Sequence, residues 1–190
     1  QPGTYLHIDH STVSGQIIAR NELVAKMQGD WLLQLDSDHT FEPDLLFKMI
    51  RLFESQNLDV LTGLYCFREP PHNPVLYQYH DGQYKNIVDW GGDGEAQLLP
   101  VDAAGAGCLL VRRRVFDKIR AAHDCMPFCQ FGKFTTDDFN FFERCRVLGI
   151  KSYCAVQIDF KHMGMSRYGI KDFDKRYAVP VILQTAQALG

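Results

Sequence analysis

The chain has 190 residues, of which 46% are hydrophobic and 23% charged. That is the balance of one globular domain, and it excludes disorder over most of the length. Lys and Arg number 20 against 23 Asp and Glu, a net charge of −3, so nothing electrostatic argues for a nucleic acid or an anionic membrane as partner. The longest apolar runs, such as Gly107-Cys108-Leu109-Leu110-Val111, fall far short of the ~20 residues that a transmembrane segment needs.

In chain order, Ser14 has the chemistry of a helix N-cap. Ile17, Ile18, Val24 and Met27 then form an apolar stripe ending near Gly29. Trp31-Leu32-Leu33-Gln34-Leu35 is too short for a helix and reads as a buried strand. A second helix is predicted from Pro43, with Leu45, Leu46, Met49, Ile50 and Phe53 inward, and 58–65 reads as the next strand. Strand, crossover helix and strand imply a parallel sheet with covered faces, its parallel part formed by 31–35 and 58–65. The alternation around Asp81-Gly82 predicts a hairpin within 75–89. Residues 97–111 read as strands broken by Gly105-Ala106-Gly107. Helices are expected at 115–122 and 137–148, a strand at 151–156 and a loop at 157–170. A terminal helix, interrupted at Pro180, is expected over 173–189. No repeat or linker divides the chain. The expectation is one α/β domain with a mixed sheet, binding its ligands beyond the carboxyl ends of the strands.

The six cysteines, at 66, 108, 125, 129, 145 and 154, form no CxxC pair. Cys125 and Cys129 with His123 are the nearest thing to a zinc cluster, and a fourth ligand is not evident. Buried free thiols in a reducing cytoplasm are therefore the expectation. Gln1-Pro2-Gly3-Thr4 has neither the basic start nor the apolar stretch of a secretory leader. Cytoplasmic location follows as an expectation.

Asp36-Ser37-Asp38 directly follows the strand at 31–35. Carboxylates at i and i+2 on a strand-end turn can converge on one hard cation, or on a ribose and a cation. The same residues can also serve as a solvated acidic turn that caps the helix after Pro43. Asp137-Asp138 heads a predicted helix, where capping and dipole complementarity are the plain reading. Arg20 either pairs with phosphate through its fork of donors or lies on the outer face of an amphipathic helix. Gly105 and Gly107 allow close approach of backbone to a ligand, or mark a bulge. Trp90-Gly91-Gly92 offers a stacking surface or core, and Arg112-Arg113-Arg114 reads as a solvated helix start.

Ala19-Arg20-Asn21 and 29–38 together resemble the donor-binding half of glycosyltransferase family 2 and its GT-A-fold relatives. The resemblance continues through the glycine-containing strand 105–111 with Arg112-Arg113, through Thr136-Asp137-Asp138-Phe139, and through Lys161-His162. Four motifs in the right order make the joint match more specific than any one of them. The resemblance implies a three-layer GT-A (Rossmann-like) mixed sheet with helices on both faces. It also implies that the family's opening strand and helix, whose first loop holds the nucleotide base, would precede 5–10 and are missing here. The implied activity is metal-dependent, inverting transfer of a sugar, a hexosyl group by expectation, from a nucleoside-diphosphate sugar to the hydroxyl of a glycan, lipid or protein. By the same resemblance Asp38, Asp36 and His162 bind Mn²⁺ or Mg²⁺, with Asp36 on ribose or a metal-bound water. Arg20, Gly105 and Gly107 then face the donor, and Asp138, in preference to Asp137, is the general base. A non-catalytic nucleotide-sugar-binding domain, a nucleotidyltransferase and a retaining transferase are the alternatives.

Overall fold

The computed structural model describes residues 7–12, 15–89, 98–129, 136–158, 160–164, 167–169, 173 and 182–183. The Ser14 cap and the Trp90-Gly91-Gly92 surface lie outside these residues. In chain order the elements are α1 (Gln16–Lys26), β1 (Trp31–Leu35), β2 (His39–Phe41), α2 (Leu45–Ser55), β3 (Val60–Gly63), β4 (Leu76–His80) and β5 (Gln83–Asn86). They continue with β6 (Leu99–Val101), β7 (Ala103–Ala104), β8 (Cys108–Arg112), α3 (Arg113–His123), α4 (Asp137–Val147), β9 (Ser152–Ala155), β10 (Phe160–Met163), β11 (Arg167–Tyr168) and β12 (Ile182–Leu183).

The central sheet has the order β1-β8-β3-β9-β6. Its strands alternate between two cores, as a sheet covered on both sides requires. Val60, Leu109, Val111 and Cys154 face one core, with Val24 of α1, Phe116 and Ile119 of α3, and Phe141, Phe142 and Cys145 of α4. Leu61, Cys108, Leu110 and Ala155 face the other, under Leu45, Met49 and Phe53 of α2. The latter three recur every four residues along one helix face, at 2%, 0% and 0% exposure. Each such side chain contributes roughly 1.5–3 kcal/mol by leaving water. Helix, sheet, helix is the expected three-layer arrangement.

The predicted parallel pairing needs a correction. β1 and β3 run in the same direction but do not touch, because β8 lies between them, antiparallel to both. The true parallel pair is β3 with β9. The apolar run 108–111 can be covered on both faces, and that makes it fit for the sheet's middle.

The hairpin forms where expected. Asp81 and Gly82 both have positive φ, 51° and 84°, and close a two-residue turn between His80 and Gln83. Two other expectations fail. The predicted loop 157–170 contains β10 and β11, which pair with β2 and each other. Within the predicted terminal helix, Ile182–Leu183 instead forms β12 against β5, and most of the rest lies outside the described residues. The basic run at 112–114 is no idle helix start. Arg112 donates to the Leu58 carbonyl, Arg113 to those of Met27 and Gly29, and Arg114 pairs with Asp59. No helix among the described residues is long and apolar enough to cross a membrane.

Candidate active site

The predicted site residues gather where β1 ends. Asp36 leaves the sheet edge with its N–H donating to the Gly107 carbonyl at 2.9 Å. Two residues on, Asp38 is clamped from the other side, its carbonyl accepting from the Met163 N–H at 2.7 Å. The chain between these anchors turns so that the two carboxylates face different partners.

Asp36 faces α1. Its Oδ2 accepts from Arg20 at 3.1 Å and from the Gln16 amide at 3.3 Å. Arg20 is 5% exposed, so it does not lie on the outer helix face. Its other terminal nitrogen donates to Asp137 Oδ2 at 2.7 Å, and Asp137 is 6% exposed. One guanidinium thus ties the end of β1 to the head of α4. Burial alone would lower the pKa of Arg20, but Asp36 and Asp137 outweigh it and raise it. Burial raises the Asp36 carboxyl above its ordinary value despite Arg20, and Asp38 adds to the rise.

Asp38 faces β2 and β10. The antiparallel register of these strands sets His39 directly opposite His162. The two imidazoles stack with centroids 4.6 Å apart and planes 1° apart. His162 Nε2 lies 3.4 Å from Asp38 Oδ2, and its Nδ1 is 3.2 Å from the Cys66 carbonyl. An Nδ1–H donated to that carbonyl leaves Nε2 as a free lone pair facing Asp38, the orientation of a metal-binding histidine. His39 Nδ1 approaches Asp38 Oδ1 to 3.0 Å, but off-line, so neither atom gains a hydrogen bond and both are buried, as is His39 Nε2. Burial, with His162 beside it, pushes the His39 pKa down to about 4, which keeps its imidazole neutral at pH 7. For Asp38, burial alone would raise the carboxyl, but His39, His162 and Arg68 outweigh it and hold it below the ordinary carboxylate value.

Among the described residues, Asp38, His39 and His162 form the group whose ligand atoms all lie within 4.8 Å of one another. Asp36 is not part of it. His39 escaped the sequence reading. Its one signal was its place directly after Asp38, and its partner lies 123 residues away in sequence. None of the six cysteines is in a disulfide, and Cys66, Cys108, Cys145 and Cys154 are buried.

Gly105 and Gly107 have a packing reason to lack side chains. A Cβ on Gly105 would lie 1.9 Å from Tyr65 Oη, and one on Gly107 2.6 Å from His39 Cε1. Tyr65 Oη accepts from the Gly107 N–H at 3.1 Å, and its ring meets His39 edge-on at 4.7 Å. The glycine-containing connection from β7 to β8 therefore seats Tyr65, and Tyr65 seats the histidine pair. Burial raises the Tyr65 hydroxyl, and the field of Asp138 raises it further.

Asp138, beside the committed Asp137, accepts from Thr136 and from the Phe139 N–H, the latter at 2.8 Å. It carries no ion pair among the described residues. Burial raises its pKa and Asp137 adds to the rise, against the pull of Thr136 and Arg20.

Residues 3–120, more than half of the chain, match the model of the family described as Glycosyl transferase family 2. The match includes Arg20, Asp36, Asp38, Gly105 and Gly107, and stops short of Asp137, Asp138 and His162. No curated protein matches. The crystal structure of A197 from STIV superposes with a TM-score of 0.54 at 16% identity, over 94% of this chain and 80% of that one. At that identity the likeness is one of fold. The sequence match carries the membership: this chain belongs to glycosyl transferase family 2.

Proposed function

We propose that the chain is a metal-dependent, inverting glycosyltransferase that moves a hexosyl group from a nucleoside-diphosphate sugar to an acceptor hydroxyl on a glycan, lipid or protein. The observation that carries the proposal is the convergence of Asp38, His39 and His162 at the strand end of a family 2 domain. Their donor atoms suit a divalent ion. The His39 nitrogens are buried without a hydrogen-bond partner, the His162 ring has a bonded Nδ1 behind it, and the set of one carboxylate and two imidazoles favours Mn²⁺ over Mg²⁺. A cation held there neutralises the donor's diphosphate.

The chain's own residues do the rest. Asp36, paired with Arg20, faces ribose or metal-bound water. Gly105 and Gly107 are buried against Tyr65 and His39, so their part is to make room for those rings behind the site and not to face the donor. Asp137 is spent on Arg20 and acts as a positioning residue. Asp138, which has no ion pair among the described residues and is raised in pKa by burial, accepts the proton of the attacking hydroxyl. A raised carboxylate is a stronger base than an ordinary one, and inversion requires no second acid.

Calorimetric titration of Mn²⁺ with a panel of nucleoside diphosphates tests the metal half. Asp38→Ala should abolish metal-dependent binding. His162→Ala should weaken it less, since a carboxylate and the diphosphate oxygens still hold a hard ion. Equal binding by wild type and Asp38→Ala would reject the site.

A further inference from the structure

Arg68 lies outside every motif read from the sequence, on the segment joining β3 to β4. Its guanidinium meets Asp38 Oδ2, the oxygen that His162 Nε2 also faces at 3.4 Å. The base of this segment is closed by its own backbone. Cys66 bridges Pro74, Phe67 N–H donates to Asn73 at 2.9 Å, and His72 N–H donates to Glu69 at 2.9 Å. The main chain at 68 is thereby held, while the side chain, 41% exposed, has room to swing.

Asp38 thus has a resident cation. An ion shared by Asp38 and His162 Nε2 takes the Oδ2 that Arg68 occupies, and a guanidinium does not stay in contact with a dication. Once displaced, it stands within a side chain's sweep of whatever anion the ion holds. Its planar fork of donors matches phosphate oxygens.

We propose that Arg68 is an exchangeable cation: it neutralises Asp38 in the metal-free protein, yields that oxygen to the divalent ion, and then pairs with the donor's diphosphate. This rests on the metal-dependent reading above. The consequence is a sign reversal. Arg68 weakens binding of the metal alone and strengthens binding of metal with diphosphate, so a bare cation is held loosely until donor arrives.

The test uses the whole chain and two probes, Mn²⁺ alone and the Mn²⁺–pyrophosphate complex. Free Mn²⁺ is read by electron paramagnetic resonance and the complex by calorimetry. Arg68→Gln should bind Mn²⁺ about two- to fivefold more tightly, the worth of an exposed ion pair. The same variant should bind the pyrophosphate complex about three- to tenfold more weakly, with Arg68→Lys between the two. Unchanged or weaker Mn²⁺ binding by Arg68→Gln, or unchanged binding of the complex, overturns the exchange. Asp38→Ala separates the two ideas. If wild type and Arg68→Gln bind Mn²⁺ equally but Asp38→Ala does not, Arg68 has no such role and the metal site stands. If none of the three binds, both fall.

Discussion

Replacing Arg20 by methionine removes the charge that joins Asp36 to Asp137 while keeping most of the side chain's length. Asp137 is 6% exposed and Arg20 5%, so the carboxylate left behind has no water to turn to. Removing one partner of a buried pair costs about 3–5 kcal/mol. Asp36 softens this little for Asp137, because its own carboxylate, 29% exposed, adds a like charge nearby. At the lower bound, the loss corresponds to a fall in Tm of roughly 6–12 °C for a domain of this size. The cost comes from an uncompensated charge and not from a cavity, so a second change should reverse most of it. In Arg20→Met with Asp137→Asn the buried anion is gone, and stability should return to within about 1–2 kcal/mol of wild type. Denaturant unfolding of the four proteins at pH 7 gives the cycle. A double variant no more stable than Arg20→Met, or an Arg20→Met that loses under 1 kcal/mol, would refute the reasoning.

Three further outcomes are expected. Asp138→Asn should leave donor and metal affinity within a few fold while the transfer rate, or donor hydrolysis by water, falls ~10²–10⁴-fold. The acid limb of the wild-type pH profile should lie above the ordinary Asp range, the direction in which burial shifts Asp138, and vanish in the variant. Gly105→Ala should cost about 1–3 kcal/mol, since its Cβ would lie 1.9 Å from Tyr65 Oη. Tyr65→Phe in the same chain should recover part of that loss, and additive losses would deny the contact. For His39 the folded pKa of about 4 lies below the ordinary 6.5, so the folded protein binds fewer protons than the unfolded one between those values. The stability this contributes is complete above pH 6.5 and is lost, by about 3 kcal/mol in all, as pH falls to 4. In metal-free protein, His39→Phe should show a shallower acid-side decline of Tm; parallel curves would contradict the assignment.

What the sequence made legible was local. The run 31–35 and the acidic pair after it are neighbours in the chain, so a strand delivering carboxylates to a sheet edge could be read from spacing alone. The turn at Asp81-Gly82 was equally readable, because positive φ is written into those residue types. Pairings over long separations were not. Nothing near β3 says that β8 will intervene between it and β1. His39 becomes a candidate ligand only because β2, three residues long, takes β10 as its neighbour. Arg20 is the sharpest case. The periodicity of α1 could not say that a charged residue is buried, since its two acceptors lie 16 and 117 positions away.

The site also separates two kinds of carboxylate by environment, and the fold couples them. Asp38, 44% exposed and ringed by His39, His162 and Arg68, is held below the usual carboxylate pKa and stays an anion for a cation to use. Asp138, raised by burial beside Asp137, keeps its affinity for a proton. Were the two environments exchanged, neither residue would suit its proposed task. Arg20 joins the end of β1 to the head of α4, and Tyr65 packs on the histidines while sensing Asp138. The cation side and the base side therefore share a frame. An Arg20 substitution should disturb proton transfer and metal binding together, even though Arg20 need touch neither proton nor metal.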